Sequence, residues 1–251
     1  RMAVRVRELG VPATRIRVIA NWADGAIVRP SPPQANALRR QWGLTGKFVV
    51  GYSGNLGRAH EIGTLVEAIA ALEQEQSEPG TPDIVWLFVG GGVNHAALMH
   101  EVDRRRLVSV QVRPYQPRRR LGESLSAADV HLVSLRPALE GLIVPSKIYG
   151  VMAAGRPTIF IGDPDGEVAR LIAAHDCGVT VAEGDGRRLA AVIRELALSS
   201  GACRRLGVNA RAAFDAHYEK AHAVARWRRL LEDLAPPHRA DPGLPSSRPA
   251  P

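Results

Sequence analysis

Three glycine-bearing stretches of the 251-residue chain carry the side chains best suited to chemistry. The first is Ser53-Gly54-Asn55-Leu56-Gly57-Arg58-Ala59-His60-Glu61. Its two glycines let backbone amides approach an anion closely, and the helical pattern that follows would add a positive dipole end. The second is Val89-Gly90-Gly91-Gly92. Three positions without side chains allow a flat ligand or a phosphate to lie against the backbone. The third runs from Glu140-Gly141-Leu142-Ile143-Val144-Pro145-Ser146-Lys147 to Met152-Ala153-Ala154-Gly155-Arg156-Pro157. Proline is favoured in a first helical turn, so a helix is expected from Pro145. Lys147 in that turn opposes the helix macrodipole and makes more sense beside an anionic ligand. Glu140 cannot serve a phosphate but can accept hydrogen bonds from hydroxyls. A carboxylate next to a diphosphate site points to a polyol attached to that diphosphate, a nucleotide sugar. Each stretch also has a plainer reading: a glycine-rich connection, a tight turn, and a loop with its packing helix.

The elements that must position these stretches follow a regular rhythm. Apolar runs at 48–53, 84–89, 108–112, 130–135, 158–161 and 178–181 read as strands. Helical spacing lies between them, at 62–72, 95–105, 121–128, 145–154 and 168–174. Strands that are apolar throughout are buried on both faces. Their alternation with helices gives a parallel α/β sheet, with right-handed crossovers placing helices on both sides. Ligands bind such a sheet at the carboxyl ends of its strands. Three further helices are expected at 187–198, 202–214 and 221–234, then a disordered tail over 236–251. At the front, residues 1–10 read as an amphipathic helix with Met2, Val6 and Leu9 on one face, and 15–19 as a strand-like alternation. An opening helix of this kind is expected to be the end of a preceding domain, with residues 1–22 its helix and linker and 23–235 the main domain.

Composition excludes several classes. At 45% apolar and 23% charged residues, the chain is typical of globular proteins. No run approaches the ~18 apolar residues of a membrane span, and no signal-peptide pattern is visible. Cys177 and Cys203 form neither a disulfide framework nor a zinc ribbon, which fits a reducing compartment. The net charge of +8 is carried almost wholly by arginine, since only Lys47, Lys147 and Lys220 are lysines. Such charge can serve nucleic acid, an anionic membrane surface or a phosphorylated ligand. Aromatic residues, at 5%, are too sparse for single-strand stacking. The clusters Arg104-Arg105-Arg106 and Arg118-Arg119-Arg120 therefore read first as solvated helix faces, and no nucleic-acid partner is expected.

The third stretch resembles the donor-binding signature of the retaining glycosyltransferases of family 4, which have the GT-B fold. Glu140, Gly141, Pro145, Met152-Ala153-Ala154-Gly155 and Pro157 match its pattern, and the other two stretches fall in the family's order. The run Glu-Gly-Leu-Ile-Val-Pro-Ser-Lys-x-Tyr-Gly is similar to a subgroup of N-acetylfucosamine transferases of polysaccharide assembly. The resemblance covers residues 15–230 and implies a Rossmann-like half of a GT-B fold with C-terminal helices. It implies a cytoplasmic enzyme, at most peripheral at the inner face of a membrane, with its acceptor-binding half in a preceding domain. The helix at 221–234 would be the family's return helix.

The chemistry implied is transfer of a hexosyl or N-acetylhexosaminyl group from a UDP-linked donor to a glycan or lipid-linked acceptor, with retention. Glu140 and Lys147 would act on the reacting groups. Gly54, Asn55, Gly57, Arg58, His60, Gly90, Gly91, Tyr115, Gly141, Leu142, Ile143, Val144 and Ser146 would bind the donor. No cofactor or metal is implied, with lysine, histidine and helix dipoles replacing a magnesium ion. The chain departs from the family at Gly150, where a ribose-contacting Glu is usual, and at Asn55 and His60, which replace an Arg and a Lys. Other classes fit less well. A non-catalytic nucleotide-sugar-binding module lacks nothing in the three stretches, and a UDP-sugar epimerase of the same fold would need more acids than Glu140.

Overall fold

The computed structural model describes residues 1–75 and 80–235. Six strands form one parallel sheet: β1 (Phe48–Asn55), β2 (Ile84–Gly91), β3 (Val110–Arg113), β4 (Val130–Ser134), β5 (Thr158–Ile161) and β6 (Gly178–Val181). Their order is β3-β2-β1-β4-β5-β6. The chain thus works outward to one edge, returns to the centre and works outward to the other. Beside β1 and β4 the strand order reverses, and the connections leave toward opposite faces. A crevice opens there at the carboxyl ends.

The helices are α1 (Met2–Glu8), α2 (Ala37–Gln41), α3 (Gly63–Glu75), α4 (Val93–Arg105), α5 (Leu121–Ser126), α6 (Lys147–Ala153), α7 (Glu167–His175), α8 (Gly186–Leu198), α9 (Ser200–Ala213) and α10 (Lys220–Leu234). They bury both faces of the sheet. Tyr52, Trp86, Phe88 and Ile159 pack under α3, α4 and α8, with Leu65, Ile69 and Leu189 among the partners. On the other face Val133 and Phe160 meet Ile148 and Met152 of α6, Ile172 of α7 and Ala210 of α9. Val49, Val85 and Leu87 meet Leu38 of α2 on that same side. The uninterrupted apolar runs were legible for this reason: alternate residues of one strand serve different, equally buried faces.

Three local expectations change. Residues 15–19 do not form a strand: Ala13–Arg15 is a 3-10 turn, and Val18 is 73% exposed with no neighbouring strand to pair with. β1 runs on through Gly54 and Asn55, because these pair with Gly90 and Gly91. A π-helical turn, Phe214–Tyr218, separates α9 from α10. The expected tail at 236–251 lies outside the described residues.

Candidate functional site

At the end of β1, Gly54 adopts φ +117° and Asn55 is exposed. The Leu56 N–H donates to the Gly91 carbonyl at 2.7 Å, and the Leu56 carbonyl accepts from the Asn94 N–H at 2.9 Å. Asn94 in the first turn of α4 also donates its side-chain amide to the carbonyls of Gly57 (3.1 Å) and His60 (2.8 Å). These four bonds fix the loop from both sides. Among the described residues, the amides of Gly57, Arg58 and Ala59 have no acceptor. Successive free N–H groups in one loop form an anion-binding concavity.

The helix after this loop is not available to an anion. Glu61 caps α3: its carboxylate accepts from the Gly63 N–H, from the Thr64 N–H at 2.9 Å and from the Thr64 hydroxyl at 2.5 Å. The positive end of α3 is thereby occupied, so the loop amides and not the helix dipole form the cradle.

The glycines after β2 also have a different use from the one expected. A Cβ on Gly90 (φ +134°) would lie 2.4 Å from the Gly54 carbonyl, and one on Gly92 (φ +130°) 2.4 Å from Asn55 Oδ1. They are glycines so that the β1 loop can close onto β2. Gly91 differs, meeting only the Tyr115 ring at 3.8 Å. Tyr115 covers Gly90 and Gly91 while remaining 60% exposed.

The β4 side supplies the charge. Lys147 opens α6, and its ammonium donates to the Tyr52 hydroxyl at 2.5 Å, lying 3.7 Å from that ring's centroid. Burial pushes the Lys147 ammonium down to about 7. The Tyr52 hydroxyl donates to the Asn55 carbonyl at 2.9 Å, and burial raises its phenol. Among the described residues no carboxylate pairs with Lys147.

His60 joins this cluster without supplying charge. Its ring meets the Tyr52 ring edge-on at 5.8 Å, and its Nδ1 lies 2.9 Å from the Ser134 carbonyl and 3.0 Å from the Ser134 hydroxyl. Burial, and next the Lys147 charge, push its imidazole down to about 4. His60 is neutral from pH 5.5 to 8 and braces β1 against β4, which corrects its expected role as a cation.

Glu140 lies against the next connection. One oxygen accepts from the Glu167 N–H at 3.3 Å at the start of α7, and a Cβ on Gly166 would lie 2.3 Å from the other. That second oxygen is buried and has no partner. Glu140 thus caps α7 with one oxygen, while the other is enclosed beside Gly166 without a partner. Gly141 (φ +80°) turns the chain, and Leu142 and Ile143 are about half exposed, at 48% and 42%. The Ile143 amide is not free for an anion, since it donates to the Leu139 carbonyl at 3.2 Å. Val144 is half-buried, and Ser146 is exposed with no side-chain cap bond to α6.

One residue at this edge was not singled out from sequence. The Arg136 N–H donates to the Ala59 carbonyl at 2.9 Å, so Arg136 and Arg58 stand on adjoining backbone at the crevice rim. Both are exposed, and neither guanidinium has a partner among the described residues. The only sequence signal was a basic residue just past a strand end.

The signature of the glycosyl transferases group 1 family matches residues 34–213. The chain belongs to that family. It is 31% identical over 182 residues to a protein of Pseudomonas aeruginosa named as a probable glycosyltransferase, WbjE, covering 71% of this chain and 43% of that one. It is 27% identical over 166 residues to a protein of Escherichia coli (strain K12) named as a putative colanic acid biosynthesis glycosyl transferase, WcaI, covering 65% and 39%. The chain therefore spans about two fifths of the length of these curated relatives. The Anabaena Alr3699/HepE structure with UDP and glucose shares the fold, at a TM-score of 0.76 and 19% identity, over 92% of this chain and 60% of that one.

Elsewhere on this group 1 glycosyltransferase chain, the two arginine clusters are only partly engaged. Arg104 and Arg105 pair with Glu101, and Arg120 with Glu123. A cavity of about 1240 Å³ lies at the opposite end of the sheet, beside Phe48, Asp129 and Pro157, and is lined by five arginines. Among the described residues, no group of three or more His, Cys, Asp or Glu side chains is placed to hold a metal ion. No helix there is long and apolar enough to cross a membrane.

Proposed function

We propose that this chain is the donor-binding portion of an enzyme that transfers a hexosyl or N-acetylhexosaminyl group from a nucleoside-diphosphate sugar, with retention, to a glycan or lipid-linked acceptor. The observation that carries the reading is the pairing of three free amides, at Gly57 to Ala59, with a lysine that no carboxylate neutralises, across the β1–β4 crevice. Preorganised donors of this kind stabilise charge that develops on a departing diphosphate. Lys147 and the amides do so here without a metal ion, and Arg58 and Arg136 add attraction at the rim. Glu140 orients sugar hydroxyls. Tyr115 frames the base against Gly91. The UDP and glucose held by the Anabaena relative favour a UDP-linked donor. The resemblance to N-acetylfucosamine transferases favours an N-acetylated sugar.

A second domain completes the cleft in this reading. α10 leaves Val224, Trp227, Leu231 and Leu234 exposed at helical spacing, with Trp22 beside them, an apolar stripe that a preceding domain would cover. The purified 251-residue chain is therefore expected to bind nucleoside diphosphate and not to transfer sugar. Acceptor approach at an anionic membrane surface fits the +8 charge. The test is isothermal titration with UDP, GDP, ADP and CDP against their monophosphates. Preference for one diphosphate over its monophosphate is expected; equal affinities, or none, would remove the diphosphate site.

A further inference from the structure

Tyr52 sits in a strand where phenylalanine would fill the same space. It is only 2% exposed, under α3, with its ring held by Phe88 at 6.0 Å and His60 at 5.8 Å. A buried hydroxyl is costly unless its bonds are made. Both are made here, and toward the crevice: it accepts from Lys147 at 2.5 Å and donates to the Asn55 carbonyl at 2.9 Å. The acceptor side belongs to α6 and the donor side to the β1 loop. One oxygen therefore joins the two halves of the crevice.

We propose that Tyr52 is a positioning residue, whose hydroxyl sets the Lys147 ammonium and the Asn55 loop in fixed register for a diphosphate. The inference rests on the reading of the crevice as a diphosphate site. Lys147 has three N–H donors, and Tyr52 takes one. The groups facing Lys147 leave the others free. His60 from the β1 loop and His131 from β4 are both held neutral by burial, near 4, and compete with no anion. Without the Tyr52 oxygen, a long lysine side chain would sample several rotamers, and binding would then have to order it. On the other side, Asn55 directly precedes Leu56, whose N–H and carbonyl are fixed by Gly91 and Asn94. The Tyr52 bond anchors Asn55, two residues before the first free amide at Gly57.

The test is a double-mutant cycle on the full chain, with UDP and uridine as probes, using Tyr52→Phe, Lys147→Ala and the pair. Tyr52→Phe keeps the ring and is checked by its melting temperature. The expected result is a roughly tenfold loss of UDP affinity in Tyr52→Phe with uridine unchanged. In the Lys147→Ala background the same change should cost about half of that logarithm or less, since only the loop anchor is left to lose. The fall of UDP affinity between pH 7 and 9 should also move in Tyr52→Phe, which a purely structural hydroxyl would not cause. UDP affinity unchanged in Tyr52→Phe, or an equal loss with and without Lys147, overturns the inference while the effect of Lys147→Ala keeps the diphosphate reading. No effect of Lys147→Ala on UDP overturns both.

Discussion

At the amino ends of the strands the protein encloses about 1240 Å³ among five arginines; at the carboxyl ends it leaves a crevice around one lysine. In the larger hollow the cations are engaged. Arg39 forms a bidentate pair with Asp129 and donates to the carbonyls of Ala127 and Lys47. Arg40 donates to Gln34, Arg156 to the carbonyls of Ser31 and Ser126, and Arg211 to those of Val28 and Ala153. Of these five, Arg204 alone has no partner among the described residues, and Arg156 keeps one buried donor, its Nε, unpartnered. Those guanidiniums fasten loops to the base of the sheet. At the crevice the donors are left over: Lys147, three amides, and the arginines of the rim. Volume marks where the chain packs loosely, whereas unsatisfied donors mark where a ligand completes the structure.

That contrast breaks most sharply at Lys147. Lys147→Met should reduce affinity for UDP by about 10- to 100-fold, the worth of a charge-assisted contact of ~1.5–3 kcal/mol, and leave uridine binding alone. The same substitution should raise the melting temperature. Lys147 titrates near 7 in the folded chain against 10.5 for a free lysine, so the unfolded chain holds the extra proton between those values. Stability thus rises with pH across that window, and the cost of the buried cation is complete below pH 7. A melting temperature that falls in Lys147→Met at pH 6 would mark the lysine as structural, like the arginines of the base.

Glu140→Gln tests a carboxylate with one foot in each role. Gln can still cap α7 through its oxygen, so the melting temperature should change little, by less than the ~0.5–2 kcal/mol that loss of a cap costs. Affinity for the sugar-bearing donor should fall while free diphosphate is bound as well or better. A parallel drop in donor, diphosphate and melting temperature would leave Glu140 only its cap.

Smaller effects are expected at the rim. Replacing both Arg58 and Arg136 by alanine should weaken UDP by about 2- to 5-fold at low salt, the scale of exposed ion contacts, and the loss should vanish in high salt. A salt-independent loss would place the pair inside the crevice. The smallest effect belongs to the base: Arg204→Ala should leave UDP affinity unchanged and stability within about ±0.5 kcal/mol.

The sheet was legible because burial on both faces leaves a pattern that needs no partner to read. The crevice was legible as far as glycines and a helix start can mark it. Its charges were not, because protonation is set by burial that local sequence does not record. His60 looked like a replacement cation and is a neutral brace behind Ser134. Gly90 and Gly92 also have a packing reason that the sequence does not show, the close approach of Gly54 and Asn55. Tyr52 was hidden in an apolar strand, where nothing in the sequence tells which way a hydroxyl points. Glu61, two residues before a helix, was readable as a cap and was passed over in favour of the dipole.

Because the chain has three lysines, Lys47, Lys147 and Lys220, carbon-labelled lysine gives three signals whose titrations can be followed by NMR. Lys147 should titrate near pH 7 in the free protein and move up toward the ordinary lysine range when UDP saturates the crevice. Lys147 titrating in the ordinary lysine range in the free protein, or unmoved by UDP, would contradict a lysine held ready for a diphosphate.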